Sequence, residues 1–261
     1  MSRKTLARTA VAAALLLSPL SPVSPLSPAL SWADDGDGDG ASAQELSDKA
    51  QETLLKAKSV HLKLTDDSAG TSTSTTQPTS MDLALDQDGN CTGSIEMGSD
   101  GGSVKMVVRD GQVWMKPDKA FWKTQIPGGQ GDAAAELFKN RYIHGSTGDA
   151  LVKGMADSCD LDAFQKEITG DPDNRHTLTK GAETTVDGSK VIPLSYKETG
   201  KKTTLYVSTD DDHHLVEATE KGKGSDLTLL FTDYNEPVPS ATPSADESVD
   251  ISKLQSELQK I

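Results

Sequence analysis

The stretch Ser103-Val104-Lys105-Met106-Val107-Val108-Arg109-Asp110-Gly111-Gln112-Val113-Trp114-Met115-Lys116 decides the fold. Val104, Met106 and Val108 alternate with Lys105 and Arg109, and Val113 and Met115 alternate with Gln112, Trp114 and Lys116. Successive side chains of a strand point to opposite faces, so each run has one apolar face. Asp110-Gly111 between them suits a tight hairpin turn. The pair therefore predicts two antiparallel strands with a common apolar side.

The same grammar extends upstream. Met81 to Asp86 and Cys91 to Met97 are strand runs joined by Asp88-Gly89-Asn90, another hairpin signal. Before them, Ala43 to Ser59 places Leu46, Ala50, Leu54 and Ala57 on one helical stripe. The period then switches to two, with Val60, Leu62 and Leu64 alternating with polar residues.

Downstream, Phe121 to Gln125 reads as one more strand. Asp132 to Tyr142, Gly148 to Ala156 and Leu161 to Ile168 have helical spacing. Strands resume at His176 to Val186, Lys190 to Lys197, Thr203 to Ser208, Leu215 to Lys221 and Asp226 to Tyr234, and a short helix is expected near Val249 to Gln259. The fold class is therefore α+β: a curved antiparallel sheet of about eleven strands, a half-open barrel with helices packed on its concave face. Where helices and sheet do not meet closely, an apolar cavity is expected.

The ends are built differently. Arg3, Lys4 and Arg8 precede the apolar run Ala10 to Leu17, and Ser31-Trp32-Ala33 is a small-x-small site, so 1–33 reads as a cleaved secretion signal. The run is shorter than the ~20 residues that span a bilayer, and no later segment is apolar for long enough, so no transmembrane segment is expected. The glycine-rich, acidic 34–42 reads as a flexible leader. A domain over 43–235 follows, and then a Pro-rich tail, 236–261, carrying the short helix. A lipoprotein needs a cysteine at its cleavage site; the first here is Cys91, which argues against a lipid anchor.

The chain carries a net charge of −14, and residues 1–33 hold three basic and no acidic residues, leaving −17 on the rest. That sign argues against nucleic acid and against adhesion to anionic lipid by overall charge. Cys91 and Cys159 are the two cysteines, and an oxidising compartment favours their pairing; two buried free thiols are the alternative. Closing the 68-residue loop between them would stabilise the fold by about 4 kcal/mol.

The helix-led strand order is joined by particular phrases: Gly89-Asn90-Cys91-Thr92-Gly93, Asp110-Gly111-Gln112-Val113-Trp114-Met115-Lys116-Pro117-Asp118 with Phe121-Trp122-Lys123, Leu205-Tyr206-Val207-Ser208 before His213-His214-Leu215-Val216, and Phe231-Thr232-Asp233-Tyr234. With that order they resemble the LolA/LppX-type carriers of bacterial envelopes, most of all the actinobacterial LppX and LprG group. The resemblance implies an eleven-strand half-barrel, no cofactor and an apolar, acyl-bearing ligand. The family has no fixed motif of cavity-lining residues, so those must come from the pattern itself.

The pattern offers Leu83, Leu85, Ile95, Met97, Met106, Val108 and Met115 from the sheet as cavity lining. Facing them it offers Phe138, Tyr142, Leu151 and Phe164, and it places Trp114 at the cavity mouth with Phe121 and Trp122. Methionine suits a pocket that accepts varied chains. An ordinary packed core, and cross-strand packing of the tryptophans, are the alternatives.

Metal and catalytic readings fare worse. In Asp210-Asp211-Asp212-His213-His214 the adjacent histidines would not converge if extended, so a solvated turn is expected and no metal site. Asp86-Gln87-Asp88-Gly89-Asn90 lacks the glutamate of a calcium loop. No nucleophile elbow, zinc-protease or phosphate-loop motif occurs in a credible frame; His144-Gly145-Ser146-Thr147-Gly148 comes nearest and reads as a helix-capping turn. The expectation is a secreted, non-enzymatic envelope protein that binds or carries a lipid-like ligand. The alternative is a module that meets another envelope protein with its cavity closed.

Overall fold

A computed structural model describes residues 40–68, 74, 75, 77–126, 129–168 and 176–251, except the side chains of residues 150, 151, 167 and 168. The expected signal peptide and most of the acidic leader lie outside the described residues.

The first element, α1 (Ala43–Lys56), starts at a capping box: the Glu45 amide donates to Ser42 Oγ and the Ser42 amide donates back to the Glu45 carboxylate. It buries Leu46, Ala50 and Leu54, the expected stripe. Five strands follow as antiparallel neighbours: β1 (Ser59–Asp66), β2 (Pro78–Asp86), β3 (Cys91–Met97), β4 (Ser103–Arg109) and β5 (Gln112–Pro117). Then come α2 (Lys119–Gln125), α3 (Gln130–Leu137), β6 (Tyr142–Ser146), α4 (Ala150–Ala156), a 3-10 turn at Asp157–Cys159 and α5 (Leu161–Ile168). The second strand group is β7 (Thr179–Lys180), β8 (Thr184–Val186), β9 (Ser189–Glu198), β10 (Lys201–Ser208), β11 (Leu215–Gly222) and β12 (Ser225–Thr232), and β13 (Ser248–Asp250) comes last.

All thirteen strands form one open sheet in the order β13-β6-β5-β4-β3-β2-β1-β12-β11-β10-β9-β7, with β8 also on β9. Among the described residues only the β13–β6 pair is parallel. The helices lie on one side, which we call inner: α1 over β10 and β11, α2 over β4, and α4 over β5 and β6.

Four sequence expectations change. Phe121 to Gln125 is not a strand but most of α2, because Pro117 ends β5 and the Asp118 side chain accepts from the Phe121 amide, capping a helix. Gly102 (φ +83) lets β4 approach that helix, since a Cβ there would collide with the Phe121 backbone. The helix expected to reach Tyr142 stops at Leu137, where Asn140 adopts φ 59 and turns the chain into β6. His176 to Val186 splits into β7 and β8 around Gly181, whose amide bonds the Pro193 carbonyl. Val249 lies in β13, and only Ile251 is helical before the described residues end.

The Pro-rich segment is a strap. Its start is tied to β1, where the Asn235 amide reaches the Ser59 carbonyl and Ser59 Oγ the Glu236 carbonyl. It crosses the outer face, where Arg109 of β4 donates to the Val238 and Pro239 carbonyls, and rejoins the sheet where the Tyr142 amide bonds the Glu247 carbonyl.

Candidate functional site

The strand registers assemble the inner face into rows. One runs Phe231, Leu62, Leu83, Gly93, Met106, Met115, Ile143; a second runs Val60, Leu85, Cys91, Val108, Val113; a third runs Leu64, Met81, Ile95, Val104, Pro117. Leu83, Leu85, Ile95, Met106, Val108 and Met115 are each no more than 3 % exposed and belong to one core with the buried helix residues. Met97 is half-buried against it. Phe138 stacks on Trp122 at 5.3 Å between ring centroids, and Phe164 lies 6.1 Å from Phe231. Leu151 falls on α4, with its side chain outside the described residues.

Trp114 and Tyr142 lie on the other side. Val113 and Met115 face inward, so alternation sends Trp114 outward, where it stacks on His144 at 4.7 Å. Tyr142 sits one residue before the inward Ile143 and carries the Lys116 ammonium 5.2 Å from its ring. Neither is at the mouth of an inner cavity.

The expectation also left out the inner residues of the second strand group. Leu194, Leu205, Ala218 and Leu229 form a continuous apolar row there. The alternation of Leu205 and Val207 in Thr203 to Ser208 carried that signal. Towards the β9–β10 turn the same face becomes polar: Lys201 Nζ donates to Glu220 at 2.7 Å, Ser225 Oγ donates to it at 2.6 Å, and His176 stacks on Tyr196 at 3.9 Å.

The cover over the apolar rows is fastened at two kinds of point. Cys91 on the inner side of β3 is disulfide-bonded to Cys159, in the turn between α4 and α5, with Cα atoms 5.5 Å apart. Gln165 of α5, itself buried, donates its amide at 2.9 Å to the carbonyls of both Leu54 and Ala57, at the end of α1. Both carbonyls lie at a helix terminus; Leu54's also accepts from the Ala57 amide, and the side chain supplies a donor to each.

On the outer face His61 and Ser146 are both engaged by carboxylates. His61 approaches Asp82 at 2.7 Å through Nε2 and Asp233 at 3.2 Å through Nδ1, so carboxylates engage both ring nitrogens and none is left to activate a hydroxyl. That histidine lines a groove of ≈ 650 Å³ under the start of the strap. Ser146 gives both its amide and its hydroxyl to Asp149 in the turn before α4. Asp210 accepts from Ser208 Oγ and the His213 amide: burial pushes its carboxyl up, but the bonds and the nearby His214 outweigh this and hold it low. Among the described residues no three His, Cys, Asp or Glu side chains are grouped to hold a metal ion, and no helix is long and apolar enough to cross a membrane.

No protein-family model and no curated protein matches the sequence. Solved structures do. LprF from Mycobacterium bovis aligns over 78% of this chain and 97% of its own at 13% identity, with a TM-score of 0.53. The Mycobacterium tuberculosis lipoprotein LppX aligns over 76% and 98% at 14% identity and a TM-score of 0.48, and a LolA superfamily protein from Nitrosomonas europaea over 79% and 99% at 11% and 0.27. The chain shares its fold with LprF.

Proposed function

We propose, from the fold shared with LprF as premise, that this chain is an exported, non-enzymatic envelope protein that holds the acyl part of a lipid or lipoprotein against the inner face of its sheet. The observation that carries this is the set of three apolar rows across β1 to β5, closed by separate short helices rather than by a second sheet. α2 and α4 have seven residues each and α5 eight. Helices that short have little stability of their own and depend on the contacts they make, so the cover can shift in pieces. An acyl chain entering beneath it replaces those contacts at about 0.8 kcal/mol per methylene buried.

In this reading Leu83, Leu85, Ile95, Met97, Met106, Val108 and Met115 form the floor, and Phe138, Leu151 and Phe164 belong to the cover. Trp114 and Tyr142 take no part. Residues 1–33 direct export and 43–235 form the carrier domain.

The test is native mass spectrometry with lipid extraction, on protein purified gently from its host's secreted fraction. A stoichiometric acyl-bearing adduct is expected. A clean apo mass together with no uptake of a fluorescent acyl probe overturns the carrier reading.

A further inference from the structure

The face of the sheet turned away from the helices carries a row that the carrier reading leaves unused. Ser195, Thr204, Thr219, Thr228, Thr65 and Ser80 stand directly opposite one another across β9, β10, β11, β12, β1 and β2. Their hydroxyl side chains therefore lie in line, one to a strand, at the ~4.8 Å spacing of neighbouring strands. Threonine favours strands, and threonines paired across a ladder support one another, so the row by itself implies no ligand.

Two of these residues are not ordinary surface threonines. Thr204 is 5% exposed and Thr219 9%, and a polar side chain that deep is as a rule hydrogen-bonded. Neither hydroxyl has a hydrogen-bond partner among the described residues. With Thr228 they floor a trough of ≈ 330 Å³ on the outer face. Its walls are the flanking rows of the same strands: Tyr206 opposite Glu217 on one side, Lys202 opposite Lys221 on the other.

The walls are largely unpaired as well. Lys221 is held by Asp226 at 2.6 Å, but among the described residues Lys202 and Glu217 each lie beyond 4.0 Å of an opposite charge. Burial pushes the Glu217 carboxyl up, and Lys221 offsets this only in part. The Tyr206 hydroxyl has no partner among the described residues either.

The result is a depression whose groups both donate and accept, with one free ammonium and one free carboxylate on opposite walls. Those charges balance, so a simple ion gains nothing net. A hydrocarbon chain would cover the hydroxyls without bonding them, at a cost of about 1–3 kcal/mol for each. A chain of uncharged hydroxyl groups fits, because each hydroxyl donates and accepts, as threonine and tyrosine do, and can donate to a carboxylate. Its C–H faces would lie on the Tyr206 ring. The row continues to Ser195 on one side and to Thr65 and Ser80 on the other, and offers the same contact to further units of a polymer.

We infer that this outer trough across β10, β11 and β12 binds a neutral polysaccharide. From the proposed function it takes only export, because the trough and the apolar rows lie on opposite faces of the sheet.

The test is co-sedimentation of the host-purified chain with the neutral polysaccharide of its host's cell wall, stripped of protein and lipid. Acyl-probe binding and thermal midpoint are measured on the same preparations. Retention that added salt leaves unchanged is expected. Thr204→Val with Thr219→Val keeps shape and strand preference while removing two hydroxyls, and should lower retention roughly 30-fold. Tyr206→Ala should lower it roughly ten-fold. The valine pair should keep the wild-type midpoint, having no internal bond to lose, and acyl-probe binding should hold in both variants.

No retention of wild type, equal retention of the valine pair, or retention that salt abolishes overturns the inference. A fall in the midpoint of the valine pair does so too, by showing the hydroxyls bonded within the protein. Retention only by wall that still carries its proteins overturns it as well and assigns the trough to a protein partner. Polysaccharide binding without acyl-probe uptake removes the carrier reading alone; acyl-probe uptake without polysaccharide binding removes the polysaccharide inference alone.

Discussion

The inner face has two halves made by different physics. Across β1 to β5 its rows are apolar from end to end, and apart from the Cys91–Cys159 disulfide they are held by burial and shape. Across β9 to β11 two rows are apolar, one through Ile192, Val207 and Leu215 and one through Leu194, Leu205 and Ala218. The next row, Tyr196, Thr203 and Glu220, is polar and tied down by directed bonds. Apolar contacts are non-directional and exchange one hydrocarbon for another at little cost. Hydrogen-bonded groups do not, because each unmatched partner left behind costs about 1–3 kcal/mol. In the proposed reading the first half is the one that yields to a guest, while the second fixes the sheet's shape.

The largest effect should come from a charge placed in the yielding half. Leu83→Asp buries a carboxylate with no partner in a site now fully enclosed, and should cost more than 4 kcal/mol, enough to unfold much of the protein. Denaturant unfolding checks it, and a loss under 1 kcal/mol would show that this half is already open to water.

Next comes the staple across the same half. Replacing both cysteines by serine should lower stability by about 4 kcal/mol while leaving the sheet intact. It should also speed acyl-probe entry, read by stopped flow, because α4 and α5 then depend on Gln165 and apolar packing. Unchanged entry kinetics would mean the cover does not open at that end.

The smallest effect belongs to the fixed half and is read through pH. Burial pushes the Glu220 carboxyl up, but the hydrogen bonds from Lys201 and Ser225 outweigh it and hold it below the usual carboxylate range. A carboxylate lowered on folding adds stability that is complete above its unfolded pKa of about 4.3 and is lost as pH falls through the folded value. Wild type should thus exceed Glu220→Gln by less than 1 kcal/mol at pH 7, the group being half-buried and still screened by solvent, and the gap should close on acidification. A gap independent of pH would assign the effect to packing.

The yielding half was the more legible one. Strict alternation in 103–116 and in Val60, Leu62 and Leu64 placed those side chains correctly, and the same parity already excluded Trp114 from their face. Tyr142 was misassigned because the helix before it ends on a left-handed Asn140, a conformation that helical spacing does not announce. The polar row escaped notice because Lys201, Glu220 and Ser225 meet only through strand pairing, and no window along the chain contains that contact. The strap and β13 were missed for the same reason: proline predicts an extended path, not where the path leads.

That path has a mechanical consequence. β12 lies between β1 and β11 in mid-sheet, yet tension applied beyond Ile251 would not reach it first. The load falls on the short β13–β6 ladder, then on the Arg109 bonds to Val238 and Pro239, then on the ties of Asn235 and Glu236 to Ser59, three fuses in series that must fail before the β12 ladders bear any force.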